Sequence, residues 1–321
     1  PTLTKTSEPA TFSQGMVSLT FDDGNKTDYD VVYPILKNAG MVGTFYITTG
    51  TMLEAPTDED DDFMTSDEVM EINRAGNEIG NHTVNHCNLL TVICPDAEIP
   101  NSPDTLTAIE EIVKASADLK SIGALPVDTF AFPYGVYNQT LLDNVKDAGL
   151  ISARTVNRGY NLTTSDRYAL KIQYVNASST TAADFEKNIK PWIDTARKYN
   201  VWLVILFHQV HPSDVFSTLP YNPDNTTTEV LQATVDYLKQ NNVSVVTVHD
   251  GVCKMAGMVN TPDCLKQTVP PPLVIVPPTA STTATSTPGS NWGNDSKDRD
   301  GKGSRNNHNN DNGHNGGSGN N

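Results

Sequence analysis

The sequence predicts an α/β protein, a (β/α) barrel of seven or eight strands, with a disordered C-terminal tail. Apolar segments of strand length alternate along the chain with longer segments of helical period. The repeated β-α order demands parallel pairing, and seven or eight such units suggest closure into a barrel. From about residue 269 the composition changes to VPPPLVIVPP, then a Ser/Thr/Pro run, then NNHNNDNGHNGGSGNN. Such a stretch cannot bury enough apolar surface to offset its chain entropy.

In chain order the expected strands are MVSLTF (16–21), GTFYIT (43–48), NEIGN (77–81), TFAF (129–132), ISART (151–155), YALKI (168–172), VWLVILF (201–207) and VSVVTV (243–248). Helices are expected near 28–39, 66–75, 104–122, 138–148, 181–199 and 227–241. Three of them end on NAG (38–40), RAG (74–76) and DAG (147–149), each placing Gly where a helix C-cap takes a left-handed residue. These boundaries imply an N-terminal arm over 1–13, one domain over 14–268 and the tail over 269–321.

The tail carries four acidic and four basic side chains, so the net charge of -16 falls on residues 1–268. So acidic a body argues against nucleic acid and anionic membrane surfaces, whose phosphates it would repel. The DEDDD run at 58–62 is expected to be a solvated loop. No apolar run approaches the roughly 20 residues of a membrane-spanning helix. The first residues, PTLTKTSEPA, contain no Met and have no signal-peptide character, as expected of a processed form. Four cysteines at two short spacings suggest disulfides in a secreted protein, with Cys87–Cys94 and Cys253–Cys264 favoured among three pairings. Eight Asn-X-Ser/Thr sequons, at Asn25, Asn81, Asn138, Asn161, Asn176, Asn225, Asn242 and Asn294, point the same way.

In barrels of this kind the chemistry sits at the C-terminal ends of the strands. There the sequence places Asp22 and Asp23, His82 and His86, the PYG of Pro133 and Tyr134, and His208. The i, i+4 spacing of His82 and His86 would align two imidazoles on one helical turn, and a carboxylate from another strand end would complete the His/His/Asp set of open catalytic zinc sites. Thr83 follows His82, so no HExxH protease motif is present. Each residue has a plainer reading. Asp22 and Asp23 could form a strand-to-turn junction with Gly24 turning the chain, His208 could be a hydrogen-bonded core residue, and Tyr134 a buried aromatic after Pro133. His211 and His249 read as structural or rim residues.

TFDDG (20–24), HTVNH (82–86), FPYG (132–135) and LFHQV (206–210) together resemble the ordered motifs of the polysaccharide deacetylases, the NodB-like carbohydrate esterase family 4. The resemblance spans about residues 14–252 and implies a distorted (β/α) barrel that removes acetyl groups from N-acetylglucosamine polymers such as chitin, as a hydrolase of linear amide carbon–nitrogen bonds. It makes Asp23, His82 and His86 ligands of a divalent metal, zinc or alternatively cobalt. It makes Asp22 the general base toward a metal-activated water, Tyr134 an oxyanion donor through its backbone N–H, and His208 the general acid. An acetylated polysaccharide is then the partner, the chain is expected to act as a secreted monomer, and the tail could be a linker, a wall-associating segment or a spacer. A thiolate ligand role for Cys87 is disfavoured against its disulfide. Glycosylation of Asn81, beside His82, would collide with the site, and Asn25 raises a similar concern.

Two positions depart from the family pattern. Many members carry an arginine two residues before the motif proline, where it pairs with the base; here that residue is Ala131, leaving Arg154 or Arg158 to substitute. The DxxDW-like motif that orients the catalytic histidine is not evident, and TVNRGYN (155–161) occupies its region. Two other readings therefore remain: an O-acetyl esterase of xylan or a similar glycan, and a noncatalytic carbohydrate-binding relative.

Overall fold

The computed structural model describes residues 11–55, 62–94 and 106–265. The expected arm before residue 11, most of the acidic run at 58–62, the tail from 269 and Asn294 lie outside them.

Strand β1 (Met16–Phe21) is buried along its whole length, as an apolar strand covered on both faces should be. Strands β2 (Thr44–Ile47), β3 (Glu78–Asn81), β4 (Thr129–Ala131), β5 (Ser152–Arg158), β6 (Leu170–Tyr174) and β7 (Trp202–Phe207) follow around it in chain order, all parallel. Strand β7 then returns to β1 through six register pairs, from Met16↔Trp202 to Phe21↔Phe207, and closes the barrel. At the upper end Phe21 stacks with Phe45 and Phe207, centroids 5.0 and 5.4 Å away. Pairs of this kind add about 0.5–1.5 kcal/mol each beyond their burial. They hold three strand ends level, so the residues that follow emerge at one rim.

The barrel is distorted at β1. One edge of that strand is shared, with β2 pairing at Thr20 and Phe21 and a two-residue β10 (Ser244–Val245) pairing at Met16 and Val17. The expected strand over 243–248 is thus cut short, and β10 is an addition to a closed seven-stranded barrel. The physical reason is a cap: the Thr247 side chain accepts from Asp250 N and starts a helix, α9 (Val248–Cys253), that the sequence reading missed. A separate parallel pair, β8 (Val210–His211) with β9 (Thr226–Thr227), sits after β7.

The helices fall where periodicity puts them. A π-helical turn, Asp28–Val32, runs into α1 (Tyr33–Ala39), which Gly40 ends at φ 69°. Next come α2 (Ser66–Arg74), started by a Thr65/Glu68 capping box, α3 (Ala108–Ser121) and α4 (Gln139–Asp147). The segment expected over 181–199 forms α5 (Ala182–Asp184), a second π turn (Phe185–Ile189) and α6 (Lys190–Tyr199). The short α7 (Ser213–Phe216) precedes α8 (Thr228–Gln240). No helix among the described residues is long and apolar enough to cross a membrane.

The N-terminal ends of the strands are tied by a buried polar network. Glu78 accepts from the hydroxyls of Thr44 and Thr129 and from His249 N, and His249 Nδ1 lies 3.0 Å from Asp128 Oδ1. The favoured disulfides are formed: Cys87–Cys94 closes the loop after His86, and Cys253–Cys264 staples α9 to the segment that follows it.

Candidate active site

Asp22 donates its N–H to Phe207 O at 3.1 Å and extends the β1–β7 ladder by one residue. The turn then begins at Asp23 itself, with φ 78°, and Gly24 continues it, also at φ 78°. Gly24 turns the chain as expected, and Asp23 shares the turn, since aspartate is among the few residues that enter the left-handed region at modest cost. The consequence is geometric. Without the turn, two successive strand residues would face opposite ways; with it, both carboxylates line one cleft. Asp22 is buried, whereas the Asp23 side chain keeps 28 % exposure.

His82 and His86 line the same cleft, but the expected helical turn is absent. They lie on a loop after β3 whose path uses left-handed backbone at Thr83 (φ 70°) and His86 (φ 51°). The loop brings their rings to 5.0 Å. A residue the sequence reading missed holds it: Glu111, fully buried on α3, accepts from Val84 N and Asn85 N at 2.9 Å and from the Asn85 amide at 2.7 Å. The available signal was an acid beside Ile112, Ala115 and Leu119 on the apolar face of that helix. His82 Nδ1 lies 2.8 Å from Ala131 O. Donating to that carbonyl leaves Nε2 free to present a lone pair to the cleft.

Asp23 Oδ1 is buried without a hydrogen bond and stands 3.4 Å from Nε2 of both His82 and His86. One ligand atom from each residue falls within 4.8 Å of the others. Two imidazole lone pairs and a carboxylate converging on one point repel each other unless a cation lies between them. The N, N, O set therefore fits a divalent metal such as zinc, while leaving metal identity open. Charge runs the same way. Burial opposes ionisation of Asp23, yet the imidazoles of His82, His208 and His86 hold its carboxyl well below the usual carboxylate range. Burial likewise opposes a charge on His82, but Asp22 and Asp23 raise its pKa above the ordinary imidazole value. A second cluster, Cys87, Cys94 and Glu111, is no metal site because both sulfurs are in the disulfide.

Asp22 Oδ2 is bound by Nη2 of Arg154, whose side chain is 1 % exposed. Arg154, one of the two expected substitutes, pairs in register with Ala131 across β4 and β5, so the cation comes from the strand next to the one the family pattern uses. Its guanidinium also lies over the Tyr46 ring, 5.2 Å from the centroid. Arg158 lines the cleft farther out on β5.

Pro133 is buried and begins a short 3-10 turn in which Tyr134 takes φ 57°. Tyr134 is 46 % exposed, not buried, and its ring packs 4.7 Å from that of His86. His208 follows β7 and lines the cleft, but its Nδ1 is buried and makes no hydrogen bond among the described residues. Its ring instead meets Tyr174 edge-to-face at 5.6 Å, and Tyr174 Oη donates to Asp224. Tyr174 and Asp224 were not legible as site residues, being 50 positions apart in segments without a motif. His211 lies at the rim on β8, 3.1 Å from Gln209 Oε1, and His249 lies in the opposite-end network.

The sequons separate by burial. Asn25, Asn81, Asn161 and Asn225 are buried, Asn138 and Asn242 are exposed, and Asn176 is half-buried.

Residues 10–153 match the family model described as polysaccharide deacetylase. No curated protein matches the chain. Among solved structures, a Streptococcus pyogenes deacetylase in complex with acetate is 25 % identical, over 48 % of this chain and 62 % of its own, with a TM-score of 0.40. The chain thus spans less than two thirds of that protein. A family 4 carbohydrate esterase from Streptomyces lividans, also in complex with acetate, is 15 % identical over 72 % of this chain and 91 % of its own, with a TM-score of 0.46. A mutant peptidoglycan deacetylase from Bacillus subtilis is 17 % identical over 74 % and 90 %, with a TM-score of 0.42.

Proposed function

We propose that this chain, whose residues 10–153 match the polysaccharide deacetylase family model, is a metal-dependent hydrolase that removes N-acetyl groups from N-acetylglucosamine polymers of the chitin type. The observation that carries the reading is the convergence of Asp23 Oδ1 with two imidazole Nε2 atoms at 3.4 Å, beside an Asp22 carboxylate held by Arg154. Residues 14–268 would form the catalytic domain, and the two disulfides support a secreted, oxidising location.

Asp23, His82 and His86 would hold the cation. A divalent ion, zinc in this reading, supplies positive charge that polarises an acyl carbonyl and acidifies water. Asp22 accepts the proton of the water that attacks the acetyl carbon, and Arg154 keeps that carboxylate aimed at it. The Tyr134 N–H donates to the oxyanion as the carbonyl becomes tetrahedral; a left-handed Tyr134 at the cleft wall is consistent with that role. His208 delivers a proton to the sugar nitrogen as the C–N bond breaks, which releases acetate and a free amine.

Acetate release from chitin oligomers and from acetylated xylan, with and without chelator, tests the reading. Chelator-sensitive release from chitin oligomers, lost in Asp22→Asn, is the expected result. Release from xylan alone would replace the substrate, and activity that survives chelation would remove the metal.

A further inference from the structure

The motif that orients the catalytic histidine in the family pattern is not evident in this sequence, and His208 Nδ1 is buried with no hydrogen bond among the described residues. An imidazole tethered only by its backbone would sample several rotamers, which a proton donor cannot afford. Among the described residues one aromatic ring packs against the imidazole, that of Tyr174. Strands β6 and β7 pair Tyr174 with Leu206, and His208 lies two residues beyond Leu206, so strand periodicity returns it to the same side as Tyr174. The rings meet edge-to-face at 5.6 Å and 83°.

Tyr174 is itself held. Its hydroxyl donates to Asp224 Oδ1, and Asp224 is set by its own N–H, which donates to Asn222 Oδ1 at 2.9 Å. Just beyond, β9 locks the segment, with Thr226 N donating to Gln209 O at 3.0 Å. The contact chain therefore runs from a fixed loop, through a tyrosine, to the imidazole.

We propose that Tyr174, locked by Asp224, is the positioning residue for His208, a packed aromatic ring that fixes the imidazole where no hydrogen bond to Nδ1 does so. This rests on the reading of His208 as the proton donor. Asp224 acts through Tyr174, although both residues line the cleft.

The test uses the full chain loaded with zinc and measures initial rates of acetate release from chitin oligomers. Tyr174→Phe keeps the ring and removes only the lock; Asp224→Ala removes the lock from the other side. Each is expected to lower kcat on the order of tenfold with KM changed by less than about twofold. The double variant should be no worse than either single one, because both cut one contact chain. Asp224→Asn, whose amide oxygen can still accept from Tyr174, should recover most of the kcat lost in Asp224→Ala. A raised KM in Asp224→Ala, with Tyr174→Phe at wild-type kcat, would make Asp224 a sugar contact and overturn the proposal. A readout independent of turnover is the NMR signal of the His208 ring, assigned by its loss in His208→Gln. The signal should shift and broaden in Tyr174→Phe, and an unchanged signal also overturns the proposal. If the wild type releases acetate from no glycan, the hydrolase reading fails while the ring signal still decides the role of Tyr174.

Discussion

Arg154 reaches Asp22 from strand β5, directly in register with Ala131 on β4, the position where an arginine was expected. Adjacent parallel strands lie about 4.8 Å apart, so a long side chain can cover the same point from either one. Arg154→Ala should abolish measurable turnover or lower kcat by about two orders of magnitude, since Asp22, the proposed base, loses its orientation. Breaking a buried pair costs about 3–5 kcal/mol, so a melting curve must show that the variant is folded at the assay temperature. Wild-type kcat in folded Arg154→Ala would remove Arg154 from the mechanism.

Glu111 does not line the cleft, yet it gathers the backbone between His82 and His86. Glu111→Ala removes both acceptor oxygens and leaves Val84 N, Asn85 N and the Asn85 amide without this partner. Zinc affinity should fall by about 10–100-fold, the range for outer-shell partners of metal ligands. Calorimetric titration of the metal-stripped chain measures this, and an unchanged Kd would reduce Glu111 to a packing residue.

The polar network at the far end makes stability depend on pH. Burial lowers the pKa of His249, but the hydrogen bond to Asp128 and the charges of Asp128, Glu78 and Asp250 outweigh it, and the net shift is upward. A folded pKa above the unfolded value of about 6.5 means the pair stabilises fully below that pH. The contribution then fades as pH rises through the folded pKa. The Tm gap between wild type and His249→Gln should therefore be wider at about pH 5.5 than at about pH 9. Equal gaps at both would show that the pair does not titrate.

Glycan occupancy should follow exposure. When the chain is secreted from a glycosylating host, mass spectrometry should find glycans at Asn138 and Asn242 and none at the buried Asn81 and Asn161. A glycan on Asn81 would be incompatible with the fold described here, because its amide donates to Ile112 O and Ser116 Oγ inside the protein.

Much of this molecule is written in local pattern. The buried run before Asp22, the glycine stops after the helices and the polar residues after each strand were legible because strand and helix periods, and the left-handed preference of glycine, act over a few residues. That is why Asp22, Asp23, His82, His86, Tyr134 and His208 could be named together from the sequence, and why they share one cleft. Local pattern misled where capping or backbone strain intervened. Thr247 ended the eighth strand early, and left-handed Thr83 and His86 replaced a helical turn with a loop.

By itself the sequence determined the order of the main elements and the rim at which its polar groups collect, and it favoured the short cysteine pairings that the structure forms. Only the tertiary structure decided which side chains hold those groups in place. Arg154 for Asp22, Glu111 for the histidine loop, and Tyr174 with Asp224 beside His208 are contacts between segments 26 to 132 residues apart. Such contacts depend on strand register and loop path, which barrel closure sets and no short stretch of sequence encodes.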